Sequence, residues 1–304
     1  MKVELTVPSA LCDALANFLT EIGAQGTIQE TPEGLPPQDD DGAARREKLT
    51  AFLPIDAGAP PGPDRLSTYL ASLAELFPHL EKPMALTEVV RDPGWGEAWK
   101  KYFKPLRAGR RFIVKPTWEP YAPERGEIVI EIDPGMAFGT GQHASTRLCL
   151  EAIEALFAAG GTSAPARVLD LGTGTGILAI ACAKCGAPAV LAVDNDPRAT
   201  AIARENALVN RAEERVTVTD RDIAALTEPF PLVVANLTAG ILDGLYPHLR
   251  RLVSPGGYLV MSGIIEQNRT EVEARFLGGP FALEQRIAEK EWVCYVLKKA
   301  GDGP

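Results

Sequence analysis

The 304-residue sequence lacks any long apolar run. No stretch approaches the roughly 20 apolar residues that a membrane-spanning helix needs. The segment Met1–Pro8 alternates like a strand and does not contain the apolar core of about 7–15 residues that a signal peptide carries. We therefore expect a cytoplasmic protein that makes no membrane contact.

Cysteine is also scarce, with five residues in the whole chain. Cys182 and Cys185 have the spacing of a metal-binding pair, but a structural zinc site needs a second pair. The other three do not supply one: Cys12, Cys149 and Cys294. We expect reduced thiols that pack within the protein, and no metal.

Positive charge is in deficit, because 31 Lys and Arg face 40 Asp and Glu, for a formal net charge of −9. This negative net charge disfavours a broad phosphate-binding surface, although it does not exclude a local basic patch. Acidity suits a basic protein substrate and also suits solubility. At 46% hydrophobic and 23% charged residues, the chain has the composition of a globular protein with room for two domains.

The most informative feature present is an apolar strand that runs into three alternating glycines. Val168–Leu171 predicts a buried parallel strand, and Ile177–Lys184 restarts with helical periodicity. Gly172, Gly174 and Gly176 allow a sharp turn and close approach of a ligand. Open α/β sheets bind ligands at this edge, where the strands end.

The spacing of the glycines bears on which cofactor binds. A dinucleotide fingerprint would need a third glycine at the position of Ile177. Asp170 precedes the loop, and a carboxylate there suits the amino and sulfonium groups of S-adenosylmethionine. Asp194 ends the next strand, about twenty residues beyond the loop, where an acid can accept both ribose hydroxyls. Asp194 can also be read as a plain strand-end cap, whereas Asp196 is the expected helix cap.

Residues 1–90 predict a separate small domain. Their expected strands and helices alternate in the order β-α-β-β-α-β: Lys2–Thr6, Ser9–Ile22, Gly26–Gln29, Leu49–Pro54, Asp64–Phe77 and Met84–Val90. This is the ferredoxin-like pattern. The domain has no cluster of acid, histidine and cysteine, so it is either a stabilising appendage or a substrate-recognition module.

Residues 91–111 predict an interdomain linker with an aromatic helix, in which Trp95 and Trp99 share one face. Those tryptophans either pack between domains or contact substrate. Residues 112–304 predict alternating strands and helices, closed by the antiparallel hairpin of Phe281–Ala288 and Trp292–Leu297. A doubly wound α/β sheet of seven strands with such a hairpin is the architecture of S-adenosylmethionine-dependent methyltransferases.

Two further segments point to the same site. The glycine-rich stretch from Asp133 to Thr146 can fold over a ligand as a lid, with Phe138 as apolar cover and Thr140 and Thr146 as hydroxyl donors. It can also be a turn and helix cap, which Ser145 alone would satisfy.

Asn236 ends the strand Pro231–Asn236 beside the cofactor strand. Its amide is placed to accept a hydrogen bond from an amine. Asparagine is also a common strand terminator, so both readings stand at this point.

The combination D-P-G-M-A-F-G-T-G-x-H-x-x-T, D-L-G-T-G-T-G-I-L-A-I, V-D-N-D-P, V-V-A-N-L and M-S-G-I closely resembles the bacterial ribosomal protein L11 methyltransferase family. The resemblance is dense in the catalytic domain and covers the N-terminal domain in element order only. It implies that Thr146, Gly172, Asp194 and Asn236 bind S-adenosylmethionine. It also implies trimethylation of lysine side chains and of the N-terminal α-amine of L11.

We expect a monomer that meets L11 free or before ribosome assembly, without direct nucleic-acid contact. The resemblance further implies that the N-terminal domain grips L11. Asn236 would orient the neutral amine, and the Leu237 carbonyl can share that task. His143 is a candidate base, although its place in a turn favours a structural role. The chain departs from the family at Pro36–Lys48 and Ala59–Pro63, where the grip would be.

Rival activities remain at this stage. A related protein-lysine or small-molecule N-methyltransferase fits the same catalytic residues. A nucleic-acid amine methyltransferase fits less well, because Asn236-Leu-Thr-Ala lacks the prolines and the aromatic that stacks a flipped base.

Overall fold

The computed structural model describes residues 2–8, 11–12, 15–16, 18–19, 22, 24, 27–30, 46–53, 62–76, 84–88, 100, 103–133, 139, 141–160 and 164–301. They form two compact units, one drawn from residues up to 103 and one from residue 104 onward. No helix within these ranges has the length and apolar character to cross a membrane.

The first unit contains a four-stranded antiparallel sheet. Its elements are β1 (Lys2–Pro8), β2 (Thr27–Glu30), β3 (Arg46–Phe52), α1 (Gly62–Leu76) and β4 (Met84–Glu88). The strand order is β2-β3-β1-β4, and the described residues between 11 and 19 are helical. Val3, Leu5 and Val7 alternate into a core with Leu15 and Leu19. This strand order and the helical residues agree with the predicted ferredoxin-like arrangement.

The second unit holds the remaining elements. In chain order they are β5 (Leu106–Ala108), β6 (Phe112–Lys115), β7 (Ile128–Glu131), α2 (Ala144–Gly160), β8 (Arg167–Leu171), α3 (Ile177–Lys184), β9 (Ala189–Val193), α4 (Pro197–Val209), β10 (Val216–Thr219), β11 (Phe230–Asn236), α5 (Ala239–Leu252), β12 (Val253–Ile265), α6 (Arg269–Leu277), β13 (Phe281–Glu289) and β14 (Trp292–Lys299). Two short 3₁₀ turns lie at Ile223–Ala225 and Glu266–Asn268.

Seven of these strands form one sheet in the order β10-β9-β8-β11-β12-β14-β13. The first five are parallel, and β14 is antiparallel to both β12 and β13. The chain runs outward from β8 in one direction and from β11 in the other, so a topological switch point lies between them. The predicted doubly wound sheet with a closing hairpin is confirmed.

A three-stranded sheet was not anticipated from the sequence. In it β5 pairs antiparallel with β6, and β6 pairs parallel with β7. The strands have only three or four residues, and all four side chains of β6 are buried. Such short strands without apolar-polar alternation give little periodic signal.

Helix α3 lies wholly inside the second unit. Every residue from Ile177 to Ala183 is buried, which leaves only Lys184 partly accessible. A helix that is apolar on all sides must be covered on all sides. The glycine loop therefore leads into the interior of the protein, and this fixes the far end of the loop.

Candidate active site

Three parallel strands end in register at one edge of the seven-stranded sheet. Leu171 of β8 pairs with Val193 of β9 and with Ala235 of β11. The residues that directly follow these positions are three of the predicted site residues: Gly172, Asp194 and Asn236. The edge lies at the switch point of the sheet, where ligands bind in open α/β folds.

The glycine loop turns through left-handed backbone at all three glycines, with φ of 70° at Gly172, 54° at Gly174 and 82° at Gly176. Gly172 and Gly174 are half-buried, whereas the intervening Thr173 and Thr175 are buried. The loop thus turns its threonines inward and leaves two glycines accessible. A ligand can approach their backbone without meeting a side chain.

Asp194 joins the second acidic strand end to the glycine loop. Its carboxylate accepts hydrogen bonds from the Gly174 N–H at 2.9 Å and the Asp196 N–H at 3.0 Å. A carboxylate offers about four acceptor positions, so each oxygen can accept a further donor. Asp196 caps α4 by accepting from the Arg198 N–H at 2.8 Å, as the sequence predicts.

Asp170 lies beneath the loop and is almost completely buried. One carboxylate oxygen accepts from the Thr173 hydroxyl at 2.6 Å and the Ala179 N–H at 3.1 Å. Burial raises the pKa of Asp170 to about 6, the two hydrogen bonds oppose that rise, and the Asp194 charge adds to it. The other oxygen, Oδ1, is buried and has no hydrogen-bond partner within the described residues. Asp170 thus organises the loop from below, and the ligand contact that the sequence suggested stays a prediction.

Asn236 contacts the first turn of α2. Its Nδ2 donates to the hydroxyl oxygen of Thr146 at 3.3 Å, and Thr146 is fully buried. The amide Oδ1 is buried and has no hydrogen-bond partner within the described residues. An unpaired buried carbonyl costs about 1–3 kcal/mol, so this atom has a strong reason to accept a donor from a ligand.

Leu237 connects Asn236 to the glycine loop. A Cβ at Gly172 would lie 2.5 Å from the Leu237 Cδ2, which shows how closely the two approach. The Leu237 N–H donates to the Ser262 carbonyl at 3.0 Å. Gly263, with φ of 81°, leaves space beside the Leu237 carbonyl, since a Cβ there would lie 2.6 Å from that oxygen.

His143 begins α2. Its backbone carbonyl accepts the Arg147 N–H at 3.1 Å, and its Nδ1 accepts the Ser145 N–H at 3.2 Å. The Ser145 hydroxyl lies 2.6 Å from the same nitrogen, and the ring packs edge-on against Trp292. The structural reading of His143 is therefore favoured, and His143 caps the helix where the sequence suggested Ser145.

The hairpin of β13 and β14, which carries Trp292, makes a second contact near the start of α2. Glu289, at the end of β13, forms an ion pair with Arg147 on α2. Together with the packing of Trp292 on His143, this fixes the first turn of α2, which carries Thr146.

Six predicted site residues thus lie at this edge of the sheet: Thr146, Gly172, Gly174, Asp194, Asn236 and Leu237. Phe138, Thr140, Trp95 and Trp99 lie outside the described residues. Sequence reasoning missed Thr175 and Asn206, which hold the loop in place. Gly263 belongs to the M-S-G-I motif, and the sequence alone indicates no role for it.

In the described ranges, no three His, Cys, Asp or Glu side chains gather as metal ligands. Burial raises the pKa of the Cys182 thiol, and that of Cys185 to about 11. Both thiols stay protonated near neutral pH, and the protonated form is neither the nucleophile nor the metal ligand.

Comparison with known proteins gives evidence that is independent of this geometry. A sequence model of one family, described as ribosomal protein L11 methyltransferase (PrmA), matches residues 1–300. A protein of Geobacter sp. (strain M21), named ribosomal protein L11 methyltransferase, is 36% identical over 313 residues, spanning 98% of this chain and 97% of that protein. A Geobacter sulfurreducens protein of the same name is 38% identical over 297 residues, spanning 97% and 96%.

A solved structure is also similar. The ribosomal protein L11 methylase from Lactobacillus delbrueckii subsp. bulgaricus superposes with a TM-score of 0.59 at 30% identity, covering 65% of this chain and all of that one.

Proposed function

The chain belongs to the ribosomal protein L11 methyltransferase family and is a methyltransferase, and from this premise we propose that it methylates amines of ribosomal protein L11 with S-adenosylmethionine as donor. The acceptors are lysine side chains and the N-terminal α-amine, and the reaction takes place in the cytoplasm on L11 that is not yet in the ribosome.

The observation that carries the proposal is the buried, unpaired Oδ1 of Asn236 at the edge of the sheet. An amide oxygen accepts a hydrogen bond, and an amine can donate one. The amide nitrogen is already engaged with Thr146, which leaves the oxygen for the substrate. Asn236 therefore holds an amine by one N–H while its lone pair is free.

The residues of the loop fit the cofactor. Gly172 and Gly174 offer accessible backbone, and Asp194 has acceptor capacity left for ribose hydroxyls. Thr146 and Asn236 lie at the opposite side of the same edge. When bound, S-adenosylmethionine supplies an electrophilic methyl group on a positively charged sulfur.

Deprotonation of the amine is the main cost that the protein must lower. A lysine with a pKa near 10.4 needs roughly 4 kcal/mol to lose its proton at pH 7.4. Burial disfavours the ammonium form and can lower a lysine pKa by up to about 3–5 units. The proton leaves to water as the amine enters, and Asn236 Oδ1 and the Leu237 carbonyl orient the neutral nitrogen. Alignment of nitrogen with the methyl carbon supplies most of the rate.

The test is incubation of the full-length protein with methyl-labelled S-adenosylmethionine and purified L11, followed by mass spectrometry of the labelled sites. We expect label on L11 amines, and far less with Asn236→Ala at equal folded content. Label on another protein or on RNA, with L11 unmodified, would overturn the proposed substrate. Full activity of Asn236→Ala would leave that residue a strand terminator.

A further inference from the structure

The glycine loop needs outside support because its three glycines give it wide conformational freedom. Most of its N–H groups already have acceptors, since those of Gly172 and Thr173 donate to the Val193 carbonyl at 2.8 Å and 3.0 Å. The Gly174 N–H donates to Asp194 at 2.9 Å, and the Gly176 N–H donates to the Thr173 carbonyl at 2.8 Å. Between them, the carbonyl of Gly174 and the N–H of Thr175 make no hydrogen bond to any described residue. This central peptide group is left to meet a ligand.

Helix α4 supports the far side of the loop. Asn206 is 8% exposed, and its Nδ2 donates to the Thr175 carbonyl at 2.8 Å. Ala203, one turn earlier, packs so closely that a Cβ at Gly176 would lie 3.2 Å from its Cβ. One face of α4 is therefore shaped to the loop, with a small residue for contact and an amide for orientation.

The side chain of Thr175 extends the same support. Its hydroxyl donates to the Gly139 carbonyl at 2.7 Å and is buried. Asn206 holds the carbonyl of Thr175, and the Thr175 side chain in turn holds Gly139. Rotation of the Thr175–Gly176 peptide would break the Asn206 contact and the Gly176 N–H bond to Thr173, so Asn206 adds a second restraint at the end of the central peptide group.

We propose that Asn206 is a positioning residue for cofactor binding: it acts through the Thr175 carbonyl and presets the direction of the Gly174–Thr175 peptide. This inference rests on the proposed function, because it takes S-adenosylmethionine as the ligand of the loop. A preset loop loses less conformational freedom on binding than a loose one, so affinity rises without a new contact.

Asn210, which caps the C-terminal end of α4, provides a matched control one turn beyond Asn206. It is 6% exposed, comparable to Asn206. Its Oδ1 accepts the Glu131 N–H at 2.9 Å, and its Nδ2 donates to the Glu131 carbonyl at 2.7 Å and to the Asn206 backbone carbonyl at 2.9 Å. The Asn206 side chain, which holds the loop, makes no bond to Asn210 among the described contacts. Replacement of Asn210 removes buried hydrogen bonds of the same kind without touching the glycine loop.

The experiment measures calorimetric binding of S-adenosylhomocysteine to the full-length wild type, Asn206→Ala and Asn210→Ala, with unfolding of each followed in denaturant. We expect both variants to lose stability, and only Asn206→Ala to bind about tenfold more weakly, equivalent to about 1.4 kcal/mol. In turnover assays Asn206→Ala should raise the KM for S-adenosylmethionine and leave kcat within about twofold. Asn206→Asp keeps the shape of the side chain but replaces its amide N–H donor with an oxygen. If the alanine variant does not fold, the aspartate variant should show the same loss of affinity.

Equal affinity of Asn206→Ala and wild type, or an equal loss in both alanine variants, overturns the positioning role. Absence of binding by the wild type is a different outcome, since it overturns the proposed cofactor itself.

Discussion

At the scale of single residues, the carboxylate of Asp194 has two tasks in one place. It holds the Gly174 and Asp196 N–H groups, and it keeps free acceptor capacity at the sheet edge. A group fixed by its own backbone contacts meets a ligand with little loss of side-chain freedom. Its removal should therefore affect both the loop and the ligand.

We expect Asp194→Ala to weaken S-adenosylhomocysteine binding about ten- to hundredfold, because hydrogen bonds to a charged group contribute about 1.5–3 kcal/mol. Calorimetry measures the affinity. Asp196→Ala serves as the control, since it removes the α4 cap and should cost about 1 kcal/mol of stability but leave affinity unchanged. Unchanged binding by a folded Asp194→Ala would exclude Asp194 from the site.

Asp170 predicts a pH dependence of stability. Its pKa is raised from 3.8 to about 6 in the folded protein, so the folded state holds this proton more tightly than the unfolded state. The resulting stabilisation is complete below the unfolded pKa and is lost as pH rises through about 6. Between about pH 4 and about pH 8, the unfolding free energy of the wild type should fall by about 3 kcal/mol relative to Asp170→Asn. Denaturant titrations across that range measure it, and a pH-independent difference would contradict it.

Residue roles were predicted from the sequence only where a simple positional rule applies. Gly172 and Asp194 directly follow strands and Asn236 ends one, so the rule that strand ends meet at one sheet edge predicts their position. Asn206 was not predicted, because its target Thr175 is 31 residues away and depends on how α4 packs. His143 was passed over as a cap because Ser, Thr, Asp and Asn are the usual caps.

At the scale of elements, the end of β11 depends on a glycine in β12. Gly263→Ala would place a Cβ within 2.6 Å of the Leu237 oxygen and 2.8 Å of its carbonyl carbon, at φ of 81°. Gly256→Ala has a similar φ of 72° and open space around its Cβ. The second variant should lose about 1–2 kcal/mol from backbone strain alone.

Gly263→Ala should lose more than this in chemical denaturation, and should also lower kcat, because Leu237 adjoins Asn236. Equal losses in the two variants, with kcat unchanged in both, would show that the close contact relaxes without consequence for the site.

Several elements were predictable from their apolar runs and the turns that bound them, although α3 is buried on all sides and has no single apolar face. Helix α3 was predicted with its observed bounds, and the last two strands to within two residues. The strands β5, β6 and β7 were not, since each has four residues or fewer and β6 is buried throughout. Apolar periodicity shows which face of an element is buried, so a segment that is buried on both faces shows no such periodicity.

At the scale of the whole molecule, every described residue of the candidate site belongs to the second unit. A fragment that starts at Lys104 retains β5, which pairs with β6. We expect residues 104–304 to fold alone and to bind S-adenosylhomocysteine with the affinity of the full chain, as judged by circular dichroism and calorimetry.

The same fragment should fail to methylate intact L11, because the first unit is left with substrate recognition as its role. Methylation of L11 by the fragment at the full-length rate would instead make the first unit a stabilising appendage. The predicted boundaries at 90 and 112 are open to the same test, with fragments that start at either position.

The insertion of β14 between β12 and β13 has a consequence for the order of events during translation. Ser262, which pairs with Asn236, donates its hydroxyl to the Val293 carbonyl at 2.9 Å, and Trp292 and Glu289 contact the start of α2. Domains emerging from the ribosome fold as units, N-terminal parts first. A nascent chain whose residues 289–299 are still inside the ribosome lacks the supports of Asn236 and Thr146, although both were synthesised long before. The candidate site is therefore complete only after β14 has left the ribosome, however early Asn236 and Thr146 were made.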